Sequence, residues 1–182
     1  LIDTLSEEVT EYDAAIVYDL ARLDVDSTKV AERFAAAAGD ALEEGSGLIL
    51  SYGSPSFSYT ALAALAMMET GIFPENVTDT EIADALKAME VDFTAENPYS
   101  LIRVLELTEK YPAFFGDEND SIRESIKTAH MGYYKTGEVN GFDYYGMSTD
   151  TNANMILGLL SFPDADEAVE TAFEYLASQK TD

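Results

Sequence analysis

Apolar residues recur every three or four positions along most of the chain, which is the spacing of one face of an α-helix. Glycine, proline and capping residues interrupt this pattern and indicate where helices begin and end. Gly71 closes one apolar segment, and Thr78 with Glu81 forms a capping-box pattern at the start of the next. The pattern predicts eight helices, at about residues 6–23, 28–44, 56–70, 78–89, 98–111, 119–134, 150–160 and 165–179.

The predicted helices alternate in character. Odd-numbered helices such as 56–70 and 150–160 are apolar and nearly free of charge at their centres, whereas even-numbered ones such as 165–179 are amphipathic and acidic. A helix that is apolar all round is expected to be buried, and an amphipathic one to face solvent. We therefore predict a single all-α domain over residues 1–182: a partial α/α toroid of about four helix hairpins, with apolar inner helices ringed by acidic outer ones. A plain α-solenoid produces a similar alternation and stays the alternative.

Four segments carry a family resemblance, and they cover most of the chain: 12–16 (YDAAI), 59–65 (YTALAAL), 145–160, which runs from Tyr145-Gly146 to Leu160, and 172–179 (AFEYLASQ). In these segments the sequence resembles the prenyltransferase and squalene-oxidase repeat family, the terpenoid-cyclase-like α/α toroids. The resemblance implies a toroid. A complete ring of that family has more helix pairs than the four visible here, so we expect a truncated domain or an open ring.

The catalytic residues of that family are largely missing. Zinc-dependent prenyltransferases need Cys and His ligands, but the chain has no Cys and only one histidine, His130. The acidic motif of the cyclases has its nearest counterpart in 164–167 (DADE), which is better explained as an acidic helix start. There is also no Trp to stabilise carbocations. The resemblance therefore implies the non-catalytic branch, cobalamin-carrier-like or cell-surface toroids, and we predict no cofactor and no metal.

Charge narrows the class of partner. The chain has 35 Asp and Glu against 10 Lys and Arg, a formal net charge of −25, so a nucleic-acid partner is not expected. No apolar run approaches the roughly 18 residues of a membrane helix, and membrane insertion is not expected either. The hydrophobic fraction of 47% favours a folded core over disorder. The chain does not begin with Met, and we expect a mature or excised segment of a bacterial protein, extracellular or at the cell surface.

Aromatic residues lie beside carboxylates and amides in the loop before the seventh helix, and Tyr52, Phe57 and Tyr59 occupy the equivalent loop two repeats earlier. Rings can stack on a sugar or another planar ligand while Asp and Asn form hydrogen bonds, so these loops are predicted to bind a ligand at the rim of the toroid. Packing of the tyrosines between repeats is the alternative. The predicted ligand-binding residues are Tyr52, Phe57, Tyr59, Tyr134, Phe142, Asp143, Tyr144, Tyr145, Asp150 and Asn152.

Three functions follow from these observations. The first is a non-catalytic module that binds a small molecule, glycan or protein through the rim loops. The second is an enzyme, either of the terpenoid or prenyl type or acting on polysaccharide. The polysaccharide form needs two carboxylates about 5 to 10 Å apart, for which Asp143 and Asp150 are the candidates. The third is a structural spacer repeat.

Overall fold

The computed structural model describes residues 10–23, 26–43, 47–51, 53–75 and 77–179. In this part of the chain it shows an all-α protein, as predicted, with two short hairpins. The helices are α1 (Glu11–Arg22), α2 (Thr28–Glu43), α3 (Phe57–Thr70), α4 (Asp79–Lys87), α5 (Pro98–Lys110), α6 (Asn119–Met131), α7 (Thr149–Leu159) and α8 (Asp166–Ser178). Strands β1 (Leu50–Ser51) and β2 (Ser54–Pro55) form one antiparallel pair, and β3 (Tyr134–Lys135) and β4 (Gly141–Phe142) form the other. None of these helices is both long and apolar enough to cross a membrane.

Local capping explains several helix ends. The Thr78 side chain accepts a hydrogen bond from the backbone N–H of Glu81, whose carboxylate accepts one from the Thr78 N–H, so the predicted capping box is confirmed. Gly71 ends α3 in the left-handed conformation (φ 68°), which glycine adopts without steric cost. The sixth helix is shorter than predicted: it ends at Met131, and Tyr134 already belongs to β3.

Contacts divide the chain into two compact units. Unit 1 comprises Leu1–Val91 and Glu106–Asn119, and unit 2 comprises Asp92–Leu105 and Asp120–Asp182. Helix α3 is the core of unit 1, because every side chain from Phe57 to Met67 except the half-buried Tyr59 is buried. Its neighbours α1, α2 and α4 pack around it. The expectation that the third helix is an interior helix is therefore confirmed.

A buried tyrosine joins α1 to the end of α5 in unit 1. Tyr18 is fully buried, and its hydroxyl donates a hydrogen bond to the carboxylate of Glu106. Arg22 donates to the same carboxylate at 3.0 Å and lies 5.4 Å from the centre of the Tyr18 ring. Burial, with a smaller contribution from Glu106, raises the pKa of Tyr18. The phenol therefore stays protonated and serves as a donor that satisfies part of the half-buried carboxylate.

A second pair of contacts lies at the C-terminal end of α3. Glu69 forms an ion pair with Lys110 and accepts a 3.0 Å hydrogen bond from the Tyr111 hydroxyl. Burial, followed by the hydrogen bond to Glu69, raises the pKa of Tyr111 to about 12. These bonds connect the end of α3 to the end of α5 within unit 1.

In unit 2, α7 packs against α8 and β4. Its buried residues include Met155, Ile156 and Leu159, as expected for an inner helix. Leu157 and Leu160, however, are 63% and 57% exposed. The expectation that the seventh helix is buried on all sides is wrong, because α8 and β4 cover only part of its circumference.

Candidate functional site

The predicted site residues from the first loop lie in unit 1. Tyr52 is outside the described residues. Phe57 is 2% exposed and stacks on Phe115, with ring centres 6.3 Å apart, so it is a core residue and its prediction as a ligand contact is corrected. Tyr59 is half-buried on the first turn of α3, where its backbone N–H donates to the capping oxygen of Ser56.

Two predicted residues of the second loop are also interior. Phe142 and Asn152 are both fully buried. The Asn152 side-chain oxygen accepts the Phe142 N–H at 2.9 Å, and its amide nitrogen donates to the Phe142 carbonyl at 3.2 Å and to the Ser148 carbonyl at 2.8 Å. Asn152 therefore fastens β4 and the start of α7 together, and its predicted role as a ligand contact is corrected to a positioning role.

Four tyrosines of unit 2 meet around Tyr144 and form what we call the tyrosine surface: Tyr99, Tyr133, Tyr144 and Tyr145. Tyr99 and Tyr133 approach the Tyr144 ring edge to face, with centres 5.6 and 5.1 Å away, and Tyr145 lies at 4.5 Å. The Tyr99 hydroxyl is 3.0 Å from the hydroxyl of Thr151 at the start of α7. Burial and the neighbouring tyrosines raise the pKa of Tyr144, so its hydroxyl remains a hydrogen-bond donor at neutral pH.

Tyr145 is the outermost ring of this surface. Its side chain is 96% exposed and its backbone lies in the left-handed region at φ 53°, which is uncommon for a bulky residue. The conformation is held by a turn in which the Asp143 side chain accepts a hydrogen bond from the Gly146 N–H at 2.9 Å. The backbones of Asp143 and Met147 pair across the same turn in an isolated antiparallel β-bridge. The Met147 carbonyl in turn accepts a hydrogen bond from Tyr175 of α8 at 3.3 Å. Backbone strain of this kind is concentrated at functional sites.

Sequence reasoning placed Tyr144 and Tyr145 in the site and omitted two of their partners. Tyr99 was missed because it lies on the first turn of α5, 45 residues before Tyr144, and no local pattern connects the two. Tyr133 was missed in favour of Tyr134, which instead packs on Phe142 at 5.4 Å. The ring-rich sequence indicated a loop with an exposed ring, but it did not separate the exposed rings from the packed ones.

The carboxylates proposed for catalysis make local contacts. Asp143 closes the turn around Tyr145, and Asp150 accepts a 3.3 Å hydrogen bond from Asn154 on the next turn of α7. Both are exposed. Within the described ranges, no three His, Cys, Asp or Glu side chains come together in a way that could hold a metal ion.

The single histidine lies in the interior of unit 2. His130 is fully buried near the end of α6, and its Nε2 is 3.0 Å from the Pro98 carbonyl oxygen, which requires a proton on Nε2. Nδ1 has no hydrogen-bond partner among the described residues. The ring packs against Gly158 of α7. Burial lowers the pKa of His130.

Acid is expected to destabilise unit 2 through this histidine. Above the ordinary pKa of 6.5 the imidazole is neutral in both the folded and the unfolded chain. Below this pH the unfolded chain binds a proton on His130 more readily than the folded chain does, because burial lowers the pKa of the folded state. Stability is therefore lost as the pH falls below 6.5. The control is His130→Gln, whose amide nitrogen can still donate to Pro98 but does not titrate. Urea unfolding between pH 7 and 5.5 should show a steeper loss in the wild type than in the variant, and parallel curves would contradict the prediction.

No protein-family model, curated protein or solved structure matches this chain. The proposal for its function therefore depends on the geometry of its own residues.

Proposed function

We propose that the protein is a non-catalytic glycan-binding module of the extracellular space or cell surface of a bacterium, and that it binds through the tyrosine surface of unit 2. The module belongs, in this proposal, to the α/α-toroid class that the repeat pattern suggests. Pairing of apolar α7 with amphipathic α8 supports this assignment, since it is the inner–outer arrangement of one toroid hairpin.

The observation that carries the proposal is the exposed ring of Tyr145, whose backbone is held in the left-handed region. An aromatic ring presents a flat apolar face on which the C–H groups of a sugar can stack. Exposing this face to water costs free energy, and that cost is offset when the sugar covers it. Burying such a ring in the core would stabilise the fold more than exposing it does. Here the turn closed by Asp143 keeps the ring in solvent and supports it from below with Tyr144. Function on a rigidly positioned loop is the common arrangement for binding proteins.

Hydrogen-bonding groups complete the site. Asp143 uses one carboxylate oxygen for the Gly146 N–H, and the side chain is exposed, so the second oxygen is free to accept a sugar hydroxyl. A flat apolar face beside a few polar groups is the combination that fits a pyranose ring.

The test is the loss of binding on Tyr145→Asn. Asparagine tolerates the left-handed backbone and removes the ring, so the fold should keep its stability, within about 1 kcal/mol of the wild type or above it. Binding to a panel of insoluble and oligomeric glycans, measured by pull-down and titration calorimetry, should weaken at least tenfold. The control is Tyr12→Gln, which removes a ring of unit 1 that is 73% exposed. A wild-type protein that binds no glycan, or a Tyr145→Asn variant that binds as the wild type does, would refute the proposal.

A further inference from the structure

The charges around the tyrosine surface are mostly negative. The segment that carries β3, β4 and the turn, residues 134–150, contains Glu138, Asp143 and Asp150 against one cation, Lys135, and all four are exposed. The helix that supports this turn through Tyr175 is itself acidic, with exposed carboxylates at Glu167, Glu170 and Glu174. A ligand that reaches Tyr145 therefore enters a negative local field, within the wider field of a chain of net charge −25.

Asp143 contributes one of these charges to the turn that carries the exposed ring. It is two residues before Tyr145, and only one of its oxygens is used in closing the turn. Since no cation among the described residues forms an ion pair with this carboxylate, its charge is available to the ligand. A cationic group on a stacked sugar would be attracted both to the carboxylate and to the faces of the surrounding phenol rings.

We infer that the ligand of the tyrosine surface is a glycan rich in free amino sugars, with its ring on Tyr145 and its ammonium group at Asp143. This inference rests on the proposed function and narrows its substrate class. The opposite class, the uronic-acid glycans, brings carboxylates to a surface that already carries them and is rejected by like-charge repulsion. Neutral glycans keep the stacking and lose the ion contact.

The experiment compares three oligosaccharides of equal length, built from glucosamine, N-acetylglucosamine and galacturonic acid, by titration calorimetry at pH 6 and low and high salt. The glucosamine oligomer should bind about fivefold more tightly than the N-acetylated one at low salt, and this preference should shrink at high salt. The galacturonate oligomer should show no binding.

Three variants locate the effect. Asp143→Asn keeps an acceptor for the Gly146 N–H but removes the charge and the second acceptor oxygen. It should therefore abolish the preference for glucosamine, by lowering the affinity for that oligomer more than the affinity for the N-acetylated one. Glu32→Gln, which removes one exposed charge of unit 1, should leave both affinities unchanged. Tyr145→Asn should lose both ligands.

The outcomes separate the two claims. Tyr145-dependent binding of the N-acetylated oligomer without a preference for the amino form overturns the inference and leaves the proposed function standing. Glucosamine binding that survives Tyr145→Asn and is lowered equally by Glu32→Gln and Asp143→Asn is diffuse attraction to an acidic protein, and it overturns the inference too. If none of the three oligomers binds through Tyr145, the inference fails and the proposed function is refuted for these sugars.

Discussion

Asn152→Ala is expected to lower the free energy of unfolding of unit 2 by about 3 kcal/mol. The substitution leaves the N–H and carbonyl of Phe142 and the carbonyl of Ser148 without their side-chain partner, and each buried polar group that loses its partner costs about 1 kcal/mol or more. Urea unfolding followed by far-UV circular dichroism measures the loss. Binding at the tyrosine surface should weaken as well, because β4 and the turn after it are no longer fastened to α7.

The same substitution two residues further along α7 is the control. Asn154 is half-buried, and among the described residues it donates only to the Asp150 backbone and side chain on its own helix. Asn154→Ala should therefore change stability by less than about 1 kcal/mol, and alanine's higher helix propensity offsets part of even that. Equal effects of the two substitutions would show that Asn152 has no special role in holding the hairpin.

Gly158→Ala is expected to destabilise unit 2 by about 2 kcal/mol, although alanine is the better helix former by about 1 kcal/mol. A Cβ at this position would lie 2.9 Å from the Cε1 atom and 3.0 Å from the Nδ1 atom of His130, closer than such atoms approach in real structures. The ring cannot move away easily, because its Nε2 is bound to the Pro98 carbonyl. Either α7 or the imidazole must shift.

A double variant and a second glycine test this explanation. In Gly158→Ala combined with His130→Ala, the new methyl group should enter the space left by the ring, so the double variant should be more stable than the sum of the two single losses predicts. Gly137→Ala should have little effect, because a Cβ added to Gly137 would have no heavy atom of the surrounding structure within 4 Å. Strict additivity of the two core substitutions would mean that the side chains are not in contact.

Helices were predictable from the sequence where the signals are local. The interior helix α3 is apolar at nearly every position between the cap at Ser56 and Gly71, and both its character and its limits were predicted correctly. The start of α4 followed equally well from one capping box, whereas its end at Lys87 lies two residues before the predicted one. In contrast, the exposure of Leu157 and Leu160 depends on which elements of the tertiary structure cover α7. The helical periodicity of the sequence does not predict that packing. The toroid and the single domain stay predictions.

The candidate site was predictable as a segment of the chain but not as a surface. The density of rings and carboxylates near residue 145 indicated the segment in which Tyr145 is exposed. Which side chains face solvent depends on the hairpin β3–β4, in which Phe142 is buried. It also depends on Asn152, whose polar side chain suggests a ligand contact in the sequence but forms hydrogen bonds with the backbone in the fold. Tyr99 enters the site only through tertiary structure.

The close packing of the tyrosine rings has an optical consequence. The chain has 11 Tyr and no Trp, so its near-ultraviolet absorption and emission come from phenol rings without an indole that would mask them. Rings 4.5 to 5.6 Å apart are near enough for their electronic transitions to couple. The surface therefore carries an intrinsic, label-free chromophore. A molecule that binds on Tyr145 would change the near-ultraviolet circular dichroism of the unmodified protein.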